Sequence, residues 1–334
     1  MKPNRMMASL TALMMLLLTP LAYSLEGAPL HMVFASDPQY PWTDKTDSGE
    51  PESDKDFEVR AKVLVESQFA SIADFRKNMG GQAQVPLMIN GDMTAFGHGW
   101  QRSYINHALK RHFGDDYLYG LGNHDYENNV DDCFSNSCAA GSIVEFADHH
   151  TNRVDNFDLA VSGWFMDKLY AGSLAYSKNI GEVHLVQLNN EPTYSTYIAD
   201  ALNPTTFAIT HALTWLEKDL AAAHKKGYAI ILNMHKPYNW GDDTQLFRRF
   251  VDIIKKYEVT AIFGGHLHFD GGNVWVMNGV PIFVSGSASQ QTYLTASFSE
   301  DRKQLHVSLV KNNDWRNRER IDTIPVKSAV ARRP

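Results

Sequence analysis

Only two cysteines occur in the 334 residues, Cys133 and Cys138. Structural zinc takes three or four ligands, usually at a tighter spacing, so these two alone make no zinc site. Positive charge is also scarce. Lys and Arg number 31 against 38 Asp and Glu, a net charge of −7. That balance argues against a nucleic-acid backbone as the main partner, and it leaves a local basic patch open. No repeat or low-complexity tract is present. Beyond the N-terminus no apolar run is long enough to cross a bilayer. No serine or cysteine sits in a convincing nucleophilic triad.

What is present is ordinary for a globular protein: 44% hydrophobic and 21% charged residues. The start, "MKPNRMMASLTALMMLLLTPLAYSLEGA", has Lys2 and Arg5, an apolar run, Pro20, then Ala22-Tyr23-Ser24. This pattern predicts a signal peptide over 1–24, of bacterial type, cleaved after Ser24, and a periplasmic or secreted protein. Left uncleaved, the same run would be a membrane anchor. Export favours a disulfide between Cys133 and Cys138, with two free thiols as the alternative.

The rest, 25–334, reads as one domain. Apolar runs at 30–36, 85–90, 117–121, 228–234, 259–264 and 280–286 predict buried strands. Helical spacing marks 58–79, 205–225 and 243–257. Hairpins are expected at 173–190 and 292–310. Residues 43–56 read as a polar, acidic surface loop, 126–165 as an irregular insertion, and 312–334 as a loosely ordered tail. Continuous apolar strands separated by helices imply a sheet covered on both faces, and the hairpins make it mixed. The expected class is α/β of the α+β type.

Five strand ends carry the same kind of side chain. After the first comes "DPQ", with Asp37 and Gln39. After the second comes "GD", with Asp92. The third is followed by "GNHD", with Asn123, His124 and Asp125. The fourth is followed by His235, and the fifth by "GGHLH", with His266 and His268. In an extended chain residues two apart share a side, so these last two imidazoles are expected to aim at one point. Ligands in α/β sheets bind at the carboxyl ends of strands. Three histidines, two carboxylates and two amides crowded at one sheet edge need something to neutralise them. One ion takes about four to six ligands, so the set suggests two ions. Mixed imidazole and oxygen donors suit Zn, Fe or Mn better than Ca.

This ordered set resembles the calcineurin-like metallophosphoesterase superfamily, whose blocks are Asp-x-His, Gly-Asp, Gly-Asn-His-Asp/Glu, His and Gly-His-x-His. The resemblance runs from about residue 30 to 311. It implies a two-sheet mixed β-sandwich flanked by helices. It implies a hydrolase of phosphate mono- or diesters that works through a dinuclear centre and a metal-activated hydroxide. By position, Asp37, Gln39 and His268 would hold one metal. Asp92 would bridge, and Asn123, His235 and His266 would complete the other. His124 would face the substrate, with Asp125 orienting its ring. Gln39 stands where the family most often has His, which leaves the first metal's identity and occupancy open. The substrate class is a small phosphate ester or a phosphoprotein, with membrane contact only if the leader stays uncleaved. The alternative is a catalytically weak binding or toxin-like module on the same fold, and Gln39 is its only support.

Aromatics follow the ligand motifs: Tyr40, Trp42, Phe96, Trp100, Tyr126, Tyr238 and Trp240. They either stack a substrate or pack the loops onto the domain, and packing is the preferred reading. His98 and Lys236 are read as structural or solvated rather than phosphate-binding. His149, His184, His211 and His224 are read as ordinary interior or rim residues.

Overall fold

The computed structural model describes residues 30–164, 167–200, 204–238, 240 and 244–328. The leader lies outside the described residues. No described helix is long and apolar enough to cross a membrane.

Two large mixed sheets face each other, as expected. The six-stranded sheet runs, in spatial order, Glu319–Pro325, Gln304–Val310, Tyr293–Phe298, His31–Ala35, Leu87–Ile89 and Leu118–Tyr119. Its last three strands are parallel and the others antiparallel. The seven-stranded sheet runs Val274–Met277, Val280–Val284, Ala261–Gly264, Ala229–Asn233, Val183–Gln187, Tyr176–Ile180 and Asn156–Phe157. Its four inner strands from Val280–Val284 to Val183–Gln187 are parallel.

Alternation explains the continuous apolar runs. In Ala229–Asn233, Ala229 and Ile231 join the core between the sheets, where Phe34 and Phe263 stack at 3.7 Å. Ile230 and Leu232 point the other way, onto Leu213, Leu216 and Leu220 of helix Leu213–Lys226 and Phe250 and Ile253 of helix Thr244–Lys256. A strand buried on both faces has no polar position to alternate with. Helices Asp54–Asn78 and Gly99–Phe113 bring Phe69, Ile72, Ile105 and Leu109 to the first core.

Several segments depart from the sequence reading. Residues 126–165 are not irregular: they hold helix Ser137–His150, which buries Ala139, Ile143, Phe146, Ala147 and His150 at helical spacing. Small residues and two histidines hid that stripe. The helix expected over 205–225 begins at Leu213, because Thr205–Ile209 is a strand with every second residue buried. That strand belongs to a third, four-stranded sheet with Ala160–Ser162, Lys168–Gly172 and Thr196–Asp200. Of the expected loose tail, residues 312–328 instead bury Trp315 and add edge strand Glu319–Pro325 to the first sheet, and 329–334 lie outside the described residues. The charge of this strand belongs to an edge, where one face meets water and charged side chains guard against stray pairing. Cys133 and Cys138 form a disulfide. Their proximity to His98 therefore offers no thiolate to a metal.

Candidate metal centre

Loops from the carboxyl ends of both sheets meet at one point. The backbone N–H of Asp37 donates to Gly91 O at 3.1 Å, and that of Gln39 to Asp92 O at 2.8 Å. His235, leaving the other sheet, donates Nδ1–H to Asn90 O at 2.8 Å. Glycines make this approach possible. A Cβ at Gly265 would collide with Ser36 Oγ and the Asp37 carboxylate, and one at Gly122 with Asp92. Four non-glycine residues here have left-handed backbones: Asp37 (φ 53°), Gln39 (37°), Asp92 (49°) and His266 (70°). Each such conformation costs on the order of 1–3 kcal/mol, and such strain gathers where function requires it.

The side chains form two linked groups. In the first, the backbone N–H of His266 and the Ser36 hydroxyl both donate to Asp37 Oδ2, the former at 3.0 Å. Oδ1 of Asp37 is buried and takes no hydrogen bond, although His268 Nε2 lies 3.3 Å away. Gln39 Oε1 is buried and equally partnerless. In the second group, His235 Nε2 lies 2.9 Å from Asn123 Oδ1 and 3.2 Å from Asp92 Oδ2. Ligand atoms of Asp92, His235 and His266 all lie within 4.8 Å of one another. His266 and His268 do not share one side of an extended chain. The strand ends at Gly264, and the left-handed His266 turns the chain into the short helix His268–Asp270.

Charge distribution follows from this crowding. Burial opposes ionisation of Asp92, but His235 outweighs it and keeps the carboxyl below its usual range. Burial likewise opposes a charge on His235, yet the Asp92 and Asp37 carboxylates lift its pKa to about 9. Burial, then the nearby His235, pushes His266 down to about 4. The carboxylates thus hold positive charge on His235 in spite of its burial, and His235 in turn keeps it off His266. Partnerless buried oxygens, carboxylates and imidazole nitrogens converging at 3–5 Å fit a cation site, since buried polar atoms otherwise find hydrogen bonds.

His124 lines the adjoining cavity of about 310 Å³ together with Trp42, Asp92, His268 and Phe269. Its backbone N–H donates to Asp92 Oδ1 at 2.8 Å. Its ring is oriented by Ala95, whose carbonyl lies 2.7 Å from Nδ1. A carbonyl only accepts, so Nδ1 carries a proton and Nε2 is left for the cavity. The expectation that Asp125 orients this ring is corrected. Asp125 instead accepts from the backbone N–H groups of Met93, Thr94 and Gly122 at 2.9–3.1 Å, bracing the loop that carries Asp92. Burial and the Asp92 charge raise its pKa.

Asp47 is the residue that sequence reasoning missed. It sits on the short helix Asp44–Ser48, within the stretch read as surface loop, yet its side chain is only 3% exposed. Oδ1 takes His268 Nδ1–H at 2.5 Å and the Trp42 indole N–H at 2.7 Å. Oδ2 takes Ser289 Oγ at 2.5 Å and Gln290 Nε2 at 2.7 Å. A carboxylate behind a histidine ligand fixes its tautomer and strengthens its other nitrogen as a donor. Against burial, Asp37 and Asp47 lift the His268 pKa to about 10. Of the histidines read as ordinary, His184 pairs with Asp219 at 2.8 Å and His224 with Glu258 at 3.0 Å.

The model of the calcineurin-like phosphoesterase family matches residues 30–270. No curated protein matches the chain. Solved structures of similar shape include the purple acid phosphatase of yellow lupin seeds (10% identity over 87% of this chain and 53% of that one, TM-score 0.47). Another is the Thermus thermophilus sulfate thiohydrolase SoxB (10% identity, 88% and 58%, TM-score 0.49). A third is the Plasmodium protein GAP50, described as the anchor in the inner membrane complex (12% identity, 90% and 90%, TM-score 0.47). The chain thus spans little more than half the length of the first two.

Proposed function

The chain belongs to the calcineurin-like phosphoesterase family, and on that premise we propose that it hydrolyses phosphate mono- or diesters with two metal ions. The observation that carries this reading is the buried Gln39 Oε1 without a partner, beside an Asp37 Oδ1 that meets only His268 Nε2 at 3.3 Å. Leaving such an atom unpaired costs about 1–3 kcal/mol, which a bound cation would offset. Asp37, Gln39 and His268 would hold one ion. Asp92 would bridge to a second held by Asn123, His235 and His266. Mixed nitrogen and oxygen donors suit Mn, Fe or Zn. When bound, the ions would neutralise phosphoryl charge and lower the pKa of water towards neutrality.

The chain's own residues supply the rest. Asn90 O holds the Nδ1–H of His235, so Nε2 is the nitrogen that would serve a metal once its proton is displaced. Asp47 does the same for His268. His124, tied through Nδ1 to Ala95 O, delivers a proton from Nε2 to the leaving oxygen. Asp125 keeps the Asp92 loop in place and takes no part in proton transfer. The disulfide supports an exported protein, since such bonds persist in oxidising compartments. N-terminal sequencing of the exported chain tests cleavage after Ser24.

The decisive experiment strips the protein with a chelator and reloads it with Mn, Fe or Zn. Two equivalents of metal per chain are expected, with hydrolysis of mono-, di- or cyclic phosphates that disappears on stripping. Failure to bind metal, or no turnover on any ester, overturns the reading. In the same assay His124→Ala should keep both metals and lose about 10²–10⁴-fold in rate. Full activity in that variant removes His124 from the mechanism.

A further inference from the structure

The aromatics that follow the ligand motifs, with Phe269 after His268 added to them, differ in exposure: Trp42 and Tyr238 are half-buried, and the exposed Trp100 sets its edge against Tyr40 at 5.8 Å. Tyr40, Tyr126 and Trp240 are buried and belong to the interior. Phe96 and Phe269 are 45% and 66% exposed. Packing of loops does not account for phenyl rings left in water. Of the two, only Phe269 lines the candidate metal cavity, together with Trp42, and Phe96 stands behind two of its lining rings. The Phe96 ring lies 6.5 Å from Trp42 and 6.4 Å from His124. Trp42 presents its ring at 5.4 Å to His124 and 6.0 Å to His268. Its indole N–H is anchored on Asp47, so the ring is held in place.

His124 decides which part of a substrate meets these rings. Its Nε2 protonates the leaving oxygen, so the leaving alcohol must lie beside the imidazole. The rings beside that imidazole are Trp42 and Phe96. His266 also lines a second cavity of about 390 Å³, with Asn123, Glu127, Asn128, Lys236 and one aromatic ring, Tyr238, and His124 is not part of it. The apolar lobe and the proton donor therefore coincide.

We propose that Trp42, Phe96 and Phe269 form a leaving-group subsite for phosphate esters of aromatic alcohols, with the ring one or two bonds from the ester oxygen. The proposal rests on the phosphoesterase reading above. In the step, a water oxygen bonds to phosphorus and the P–O bond to the alcohol breaks. The alcohol leaves with the His124 proton, and the proton lost by water restores His124. Flat rings stack on such platforms through their π faces and edges.

The test compares benzyl, cyclohexylmethyl and methyl esters, each as monoester and as methyl diester, on the metal-loaded protein. The three alcohols differ little as leaving groups, so differences report recognition. The benzyl ester should exceed the methyl ester about tenfold or more in kcat/KM, and exceed the cyclohexylmethyl ester as well. The double variant Phe96→Ala, Phe269→Ala should cut the benzyl-to-methyl ratio about tenfold, within the range that loss of stacking produces. Benzylphosphonate should likewise bind more tightly than methylphosphonate to the intact protein, a readout without turnover. Equal rates for benzyl and methyl esters, an unmoved ratio in the variant, or parity of benzyl with cyclohexylmethyl overturns the proposal. Hydrolysis of other esters in that case leaves the phosphoesterase reading standing. No hydrolysis of any ester removes both.

Discussion

His235 and His150 are both fully buried, and each gives Nδ1–H to a backbone carbonyl, Asn90 O at 2.8 Å and Phe146 O at 2.9 Å. They part at the other nitrogen. Nε2 of His150 accepts the Tyr119 N–H at 3.3 Å, and the ring packs against Tyr119, Phe146 and Tyr176. Every polar atom there is paired by a neutral group, and burial, then His149, holds the pKa well below the ordinary value. Nε2 of His235 faces Asn123 Oδ1 and Asp92 Oδ2. Burial is the same, but the carboxylates reverse its effect. Burial alone does not distinguish a core histidine from a metal ligand. What distinguishes them is whether the second nitrogen meets a donor or an excess of acceptors.

Removing the acceptors is the strongest way to break this contrast. Asp92→Ala takes away the bridging carboxylate and should lower metal affinity by more than about 100-fold, beyond the ~10–100-fold typical of outer partners. Turnover should fall with it. Calorimetric titration with Mn or Zn reads the loss, and wild-type affinity in the variant would mean that the cluster is not a metal site. Next in size is Asp47→Asn. The amide keeps one acceptor oxygen for His268 but carries no charge, and its N–H must face groups that now donate to a carboxylate, so the support behind His268 weakens. Affinity for one of the two ions should drop about 10–100-fold and the other should hold. Equal weakening of both, or of neither, would separate Asp47 from His268.

Much of the candidate site was legible before the fold. Each proposed ligand follows closely after an apolar run, and strand ends are where sheets bind ligands. Asp47 was not legible because six acidic residues lie between 43 and 56 and look alike. Only the return of His268, Ser289 and Gln290 in space singles one out. Asp125 misled because adjacency to His124 suggests contact, whereas the turn aims its carboxylate back at the backbone of Met93 and Thr94. In the fold, strands buried on both faces stood out as apolar runs, but the half-exposed strands of the third sheet did not. Ile209 falls at helical spacing from Leu213 and Leu216, so strand Thr205–Ile209 was absorbed into the helix that follows it.

The aromatic cluster offers the smallest effect and the sharpest test of the comparison. The folded chain keeps His150 neutral well below the ordinary pKa of 6.5, and burial holds its neighbour His149 down to about 4. The unfolded chain takes those protons near pH 6.5. Below that pH the unfolded state binds more protons, so stability is intact above about 6.5 and falls as pH drops, by at most ~1.4 kcal/mol per pH unit for each histidine. His150→Gln retains a donor and an acceptor without titrating. It should lower Tm somewhat at pH 7.5 through imperfect packing, yet lose less on going to pH 5 than the wild type does, by a few degrees. Measuring both proteins stripped of metal, and comparing only their differences, cancels the titration of the other imidazoles. Parallel Tm profiles would show that His150 is protonated in the folded chain, and the distinction between a paired and an over-accepted histidine would fail.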